Sequence, residues 1–140
     1  MTMPPPPAPE DTDQLLSDHR DIDALLGEFL SSASSGALAA AVDAIARFDD
    51  ALRVHMMSEE GYFPESHGKL IALEGESEAD RLFRELRLEH VQIRELSGMI
   101  RRILGESADL AGAAHLASSL AGRWEAHTAR EEKEWLGTAG

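Results

Sequence analysis

A chain of 140 residues is the size of one domain, since single cores run to roughly 100 to 200 residues. Its 43% hydrophobic content supports a core, and a mere 5% of aromatic residues favours helices over strands. The formal net charge of -13 disfavours nucleic acid and anionic lipid as partners and favours cations, while the lack of cysteine removes disulfides, zinc-thiolate sites and iron-sulfur clusters.

Residues 1–10 hold five of the six prolines and read as a flexible polyproline tail, with residues 11–140 forming the domain. No n-region and h-region pattern opens the chain, and no apolar run approaches the ~20 residues that span a bilayer, so a cytoplasmic, membrane-free protein is expected. The first helix is expected from Asp11 or Thr12 as cap, with the stripe Leu15, His19, Ile22, Leu26 and Phe29, ending before Ser31. The second carries Val42, Ile45, Phe48, Leu52, His55 and Glu59 and is expected to close at Gly61 and Pro64, leaving a loop over 68–76. A third opens at Ser77-x-x-Asp80, close to a capping box, carries Leu82, Leu86, His90, Ile93, Ser97, Ile100 and Leu104, and is expected to stop at Gly105. The fourth starts near Ser107 with Ala113, Leu116, Leu120, Trp124, His127, Glu131 and Trp135 on one face. Short connections predict an all-α, up-down-up-down antiparallel four-helix bundle.

The two halves repeat. Asp18-His19-x-x-Ile22-x-x-Leu25 matches Glu89-His90-x-x-Ile93-x-x-Leu96, and His55-x-x-x-Glu59-Glu60 matches His127-x-x-x-Glu131-Glu132. His90 follows His19 by 71 residues and His127 follows His55 by 72, so each half contributes one hairpin with the same polar pattern.

Six of the positions that face the bundle axis are therefore His or Glu. A buried carboxylate costs several kcal/mol without a cation, and two close together repel. The chain has two lysines, Lys69 and Lys133, and neither lies on a stripe. Metal is the economical partner for His19, His55, Glu59, His90, His127 and Glu131. His and Glu four residues apart share one helical face, so His55 with Glu59, and His127 with Glu131, can each grip one centre. Imidazole and carboxylate together suit iron or manganese, with zinc compatible. No Glu-x-x-His occurs in the chain, which argues against the ferritin-like di-iron pattern.

In this order of motifs (a lone His19, His55-x-x-x-Glu59 running into Phe63-Pro64, then His90, then His127-x-x-x-Glu131) residues 11 to 137 resemble the hemerythrin-like, HHE cation-binding proteins. The resemblance implies two non-haem iron ions with an oxo or hydroxo bridge, His19 and His55 on one, His90 and His127 on the other, and Glu59 and Glu131 across both. Oxygen-carrying hemerythrins resemble His-x-x-x-His on the third helix, where this chain has His90-Val-Gln-Ile-Arg94. They also have a slightly longer spacing from the last His to an Asp. Both departures point away from oxygen storage and toward the bacterial stress, sensing or repair members.

Each ion then keeps an open position, which implies a protein that binds or reacts with a small diatomic molecule or peroxide. Peroxide decomposition and nitric oxide reduction are the enzymatic options. An iron or oxygen sensor, or an iron donor for repair, is the alternative, and a metal-free structural bundle is the third class. Glu60 and Glu132 point about 100° away from the ligand face and are expected mainly at the surface, with hydrogen bonding to the site as the other option. His67, placed in the loop after Pro64, and His115 are expected at the surface, and Arg94 is expected to reach solvent. Met56, Met57, Phe63, Trp124 and Trp135 are expected in the core, and Tyr62 is expected to pack, with a hydrogen bond or ligation at the site as the other option.

Overall fold

The computed structural model describes residues 9–136, apart from the side chains of residues 9–11, 65 and 69. Within them the chain is all helical. Four helices follow one another as α1 (Pro9–Ser34), α2 (Leu38–Glu74), α3 (Glu76–Ser107) and α4 (Leu110–Glu131), and α4 widens into a π turn over Glu132–Leu136. Each helix packs on its chain neighbour and α1 also packs on α4, so the four close a ring around one interior. None of the described helices is long and apolar enough to cross a membrane.

The expected stripes are buried almost throughout, because residues three and four apart share a helix face. The interior has two apolar plugs. One joins Ile22, Phe29, Ile45, Phe48, Leu52, Ile100, Leu120 and Trp124; the other joins Leu15, Phe63, Leu70, Phe83, Leu86, Trp135 and Leu136. On every helix the candidate ligands fall between residues of the two plugs, as His19 does between Leu15 and Ile22. A polar layer is thus held between two dry ones.

Several boundaries differ from expectation. Helix α1 already includes Pro9 and Glu10, because proline is tolerated in a first turn, where its missing N–H has no partner anyway. The rest of the expected tail, residues 1–8, and the side chain of Asp11 lie outside the described residues. The helix also runs on through the serines to Ser34, and the chain turns at Gly36, whose φ of 74° is a conformation that glycine adopts freely.

The largest departure is in α2, which passes through Gly61 and Pro64 and reaches Glu74. There is no loop over 68–76; Gly75 alone, at φ 94°, separates α2 from α3. A proline inside a helix removes one backbone hydrogen bond, at about 3 kcal/mol. Burial of Phe63 and Leu70 in one cluster with Ala79, Leu82 and Phe83 offsets it, since each large apolar side chain contributes roughly 1.5–3 kcal/mol. His67 therefore sits on a helix, half-buried beside Asp80, rather than in a loop. Val42 and Met57 are 44% and 66% exposed, against expectation; Ala41, Ala44 and Met56 take the inward positions.

Helix α3 begins without a side-chain cap and runs past Gly105 to Ser107. Helix α4 begins at Leu110, capped by Asp109, whose carboxylate accepts from the Gly112 N–H at 2.9 Å. Between them Ala108 takes the left-handed conformation, φ 53°, which an L side chain disfavours. Ala108→Gly should therefore raise stability by about 0.5–1 kcal/mol, read as a higher urea midpoint at unchanged slope.

Candidate metal centre

Six side chains from four helices meet in the polar layer. His19 on α1, His55 and Glu59 on α2, His90 on α3, and His127 and Glu131 on α4 are each at most 3% exposed. The arrangement follows the internal repeat. His19 Nε2 lies 3.3 Å from Glu59 Oε2 and 3.2 Å from Glu131 Oε1; His90 Nε2 lies 3.2 Å from Glu59 Oε1 and 3.3 Å from Glu131 Oε2. His55 Nε2 is 3.0 Å from Glu59 and His127 Nε2 is 3.1 Å from Glu131, each one turn along its own helix. Each glutamate thus faces three imidazoles. All six expected ligand candidates come together, and none is left outside.

Two groups of four emerge, each with ligating atoms within 4.8 Å of one another: His19, His55, Glu59 and Glu131, and Glu59, His90, His127 and Glu131. Both glutamates belong to both groups. His67 and His115 belong to neither.

A second ring of carboxylates surrounds the imidazoles. Asp18 accepts from His55 Nδ1 at 3.2 Å, Glu132 from His19 at 3.0 Å, Glu60 from His90 at 2.8 Å and Glu89 from His127 at 2.7 Å. A carboxylate at Nδ1 fixes the proton there and turns the Nε2 lone pair inward. The expectation that Glu60 and Glu132 act mainly at the surface is corrected: both are partly exposed, yet each holds a histidine, Glu132 from the π turn. Asp18 and Glu89 were not anticipated in this role. Their signal was in the repeat itself, where an acidic residue precedes each lone histidine and another follows each ligand glutamate.

The family profile described as the hemerythrin HHE cation binding domain matches residues 10–139. The chain belongs to the hemerythrin HHE cation-binding family. No curated protein and no solved structure matches it. Being an HHE chain, it is expected to hold cations, and its own atoms supply the test of that fit. His55 Nε2, His127 Nε2, Glu59 Oε1 and Glu131 Oε1 are buried and make no hydrogen bond, although an oppositely charged or polar atom lies near each. Two are imidazole nitrogens and two are carboxylate oxygens, and all four occur in the two groups of this HHE site. Buried polar atoms are ordinarily bonded, so four orphans at one point fit a metal pair bound by nitrogen and oxygen.

Electrostatics agree. Burial opposes charge on His19 and His90, but Glu131 and Glu59 outweigh it and raise both imidazoles to about 10. Burial likewise opposes charge on His127, and Glu131 with Glu89 raises it. Burial and the neighbouring Glu131 push Glu59 up, yet the three imidazoles hold it below the usual carboxylate range. Burial also works against Glu131, which His127, His19 and His90 hold well below that range. Without metal, the imidazole protons do the work of the cations.

The outer ring gives one test within the HHE site. Glu60 touches a single imidazole, that of His90, and is part-exposed. Glu60→Gln should keep the helical spectrum and lower metal affinity roughly 10- to 100-fold, measured by chelator competition.

Proposed function

We propose that this protein holds two non-haem iron ions and uses them to bind or react with a small oxidant: dioxygen, peroxide or nitric oxide. The observation that carries this reading is the pair of donor groups sharing Glu59 and Glu131. His19 and His55 would serve one ion, His90 and His127 the other, and both carboxylates would serve both. Manganese or zinc suits the same donors. The helices are read as an up-down-up-down bundle, with the protein acting in the cytoplasm.

When bound, the metal pair supplies a Lewis-acidic, redox-active centre with positions left over for a small ligand. The chain's residues supply the rest. Asp18, Glu60, Glu89 and Glu132 hold the Nδ1 protons and keep four imidazoles aimed inward. Trp124, with ring centroids 5.5 Å from His19, 6.4 Å from His55 and 6.2 Å from His127, covers one side, and Phe63, 5.9 Å from His90, covers the other. Together they exclude bulk water and large substrates, which restricts the reaction to small molecules.

The departure from the oxygen carriers at Arg94 supports turnover over storage: Arg94 is exposed and adds no fifth imidazole. Iron-loaded protein should consume hydrogen peroxide faster than the same iron in buffer and autoxidise quickly in air. Oxygen uptake followed by argon release, unchanged over many cycles, would restore a carrier role in its place.

A further inference from the structure

Two clefts approach the metal layer from outside, one of about 370 Å³ between α1 and α2 and one of about 300 Å³ between α3 and α4. Each has a ligand histidine in its wall, His55 in the first and His127 in the second. The two occupy equivalent places in the internal repeat. Asp18 and Asp21 stand where Glu89 and Gln92 stand 71 residues later. Asp50, Ala51 and His55 stand where Gly122, Arg123 and His127 stand 72 residues later.

The places are shared, but the charges differ. Asp18, Asp21 and Asp50 line the α1–α2 cleft with no arginine or lysine among its lining side chains. The α3–α4 cleft has two guanidiniums, Arg123 and Arg130, against the single carboxylate of Glu89. Asp21 and Asp50 are exposed at the mouth, and Asp50 meets Arg53 at 3.4 Å, an exposed pair of the kind that contributes little. Asp18 lies deeper, its side chain 29% exposed, and holds His55 Nδ1 at 3.2 Å. Behind it His55 is 3% exposed, and its Nε2 is one of the four orphaned atoms of the metal groups. Carboxylates thus lead from water to a buried ligand nitrogen. A cleft lined by one sign of charge concentrates the opposite ion and speeds its arrival by about 10- to 1,000-fold.

We propose that metal ions enter the bundle through the α1–α2 cleft, collected by Asp21 and Asp50 and passed by Asp18 to His55, while the equivalent α3–α4 cleft, with Arg123 and Arg130 on its wall, does not admit them. This route rests on the metal reading above. His55 belongs both to the cleft wall and to a donor group, so a turn of that one imidazole joins the cleft to the metal layer.

The test is the rate at which the full-length protein, stripped with chelator, takes up Co²⁺, followed by visible absorption at low cobalt, where rate is proportional to concentration. In about 0.15 M salt charges act over about 8 Å, so the measurement reads the local cleft rather than the net charge. Asp21→Asn/Asp50→Asn should slow uptake roughly fivefold or more, with an unaltered helical spectrum and the same final cobalt content. Asp21→Glu/Asp50→Glu should restore most of the rate. Glu95→Gln/Glu106→Gln removes the same charge from exposed positions on α3 outside both clefts, and should stay within roughly twofold of the unchanged protein. Unslowed uptake in the asparagine variant, or equal slowing in the glutamine control, would overturn the route and leave the metal reading standing. A lower final cobalt content in the asparagine variant would make Asp21 and Asp50 ligands rather than a path, and would overturn it too. Failure of the unchanged protein to take up cobalt would overturn both the route and the metal reading.

Discussion

Glu131→Ala should empty both metal positions, whereas His55→Ala should empty one. The difference follows from geometry: Glu131 belongs to both donor groups and His55 to one. Removing Glu131 leaves each group with three donors and takes away half of the buried negative charge that attracts the ions. Iron per chain, by elemental analysis after anaerobic loading, should fall from about two to near zero for Glu131→Ala and to about one for His55→Ala, as expected when ligands are split between two centres. His67→Ala and His115→Ala should leave it unchanged. His67 is engaged with Asp80 near the surface and His115 is exposed. If His67→Ala lost as much iron as His55→Ala, the ligand assignment would be wrong.

Metal removal should lower the melting temperature markedly, and from pH 7 to 10 the empty protein should lose stability while the loaded protein holds level. A ligand at a thousand times its dissociation constant stabilises a fold by about 4 kcal/mol, which for a domain of this size shifts melting by on the order of 10 °C. The pH dependence of the empty protein follows from its imidazoles. His19 and His90 are raised from 6.5 to about 10, so their stabilisation is full below about 6.5 and is lost as pH rises toward 10. Glu59 and Glu131 are lowered from 4.5, so theirs is present above 4.5 and lost as pH falls through the lowered value. The empty protein should therefore be most stable near pH 4.5–6.5 and weaken from pH 7 to 10. Metal must displace the imidazole protons, so its contribution should grow over the same interval. Calorimetric scans of both forms at pH 6, 7.5 and 9 test this, and parallel slopes would show that the imidazoles do not carry those protons.

Much of the fold was legible because helical periodicity and burial coincide: the expected stripe of α3 is buried at every position from Leu82 to Leu104. The candidate site was legible for a related reason. Six polar residues on apolar stripes, repeated once along the chain, have few explanations that do not involve a cation. What the pattern did not reveal came from tertiary packing. Pro64 is a stop by local rules, yet α2 continues because Phe63 and Leu70 gain a partner surface on α3 that no local rule registers. Val42 fits the helix period but stands at its margin, where alanines approach the neighbouring helix more closely. The outer carboxylates were hidden by their exposure: Glu60 and Glu132 read as solvated, and only the packing of adjacent helices brings each within reach of an imidazole from elsewhere in the chain.

In the proposed centre two metal ions share Glu59 and Glu131 in the middle of the bundle. Anomalous diffraction from crystals of the iron-loaded protein, collected on both sides of the iron edge, tests it most directly. Two peaks per chain are predicted, one against His19 and His55 and one against His90 and His127, with both glutamates touching both. A single peak, or peaks elsewhere such as at His67 and Asp80, would contradict it.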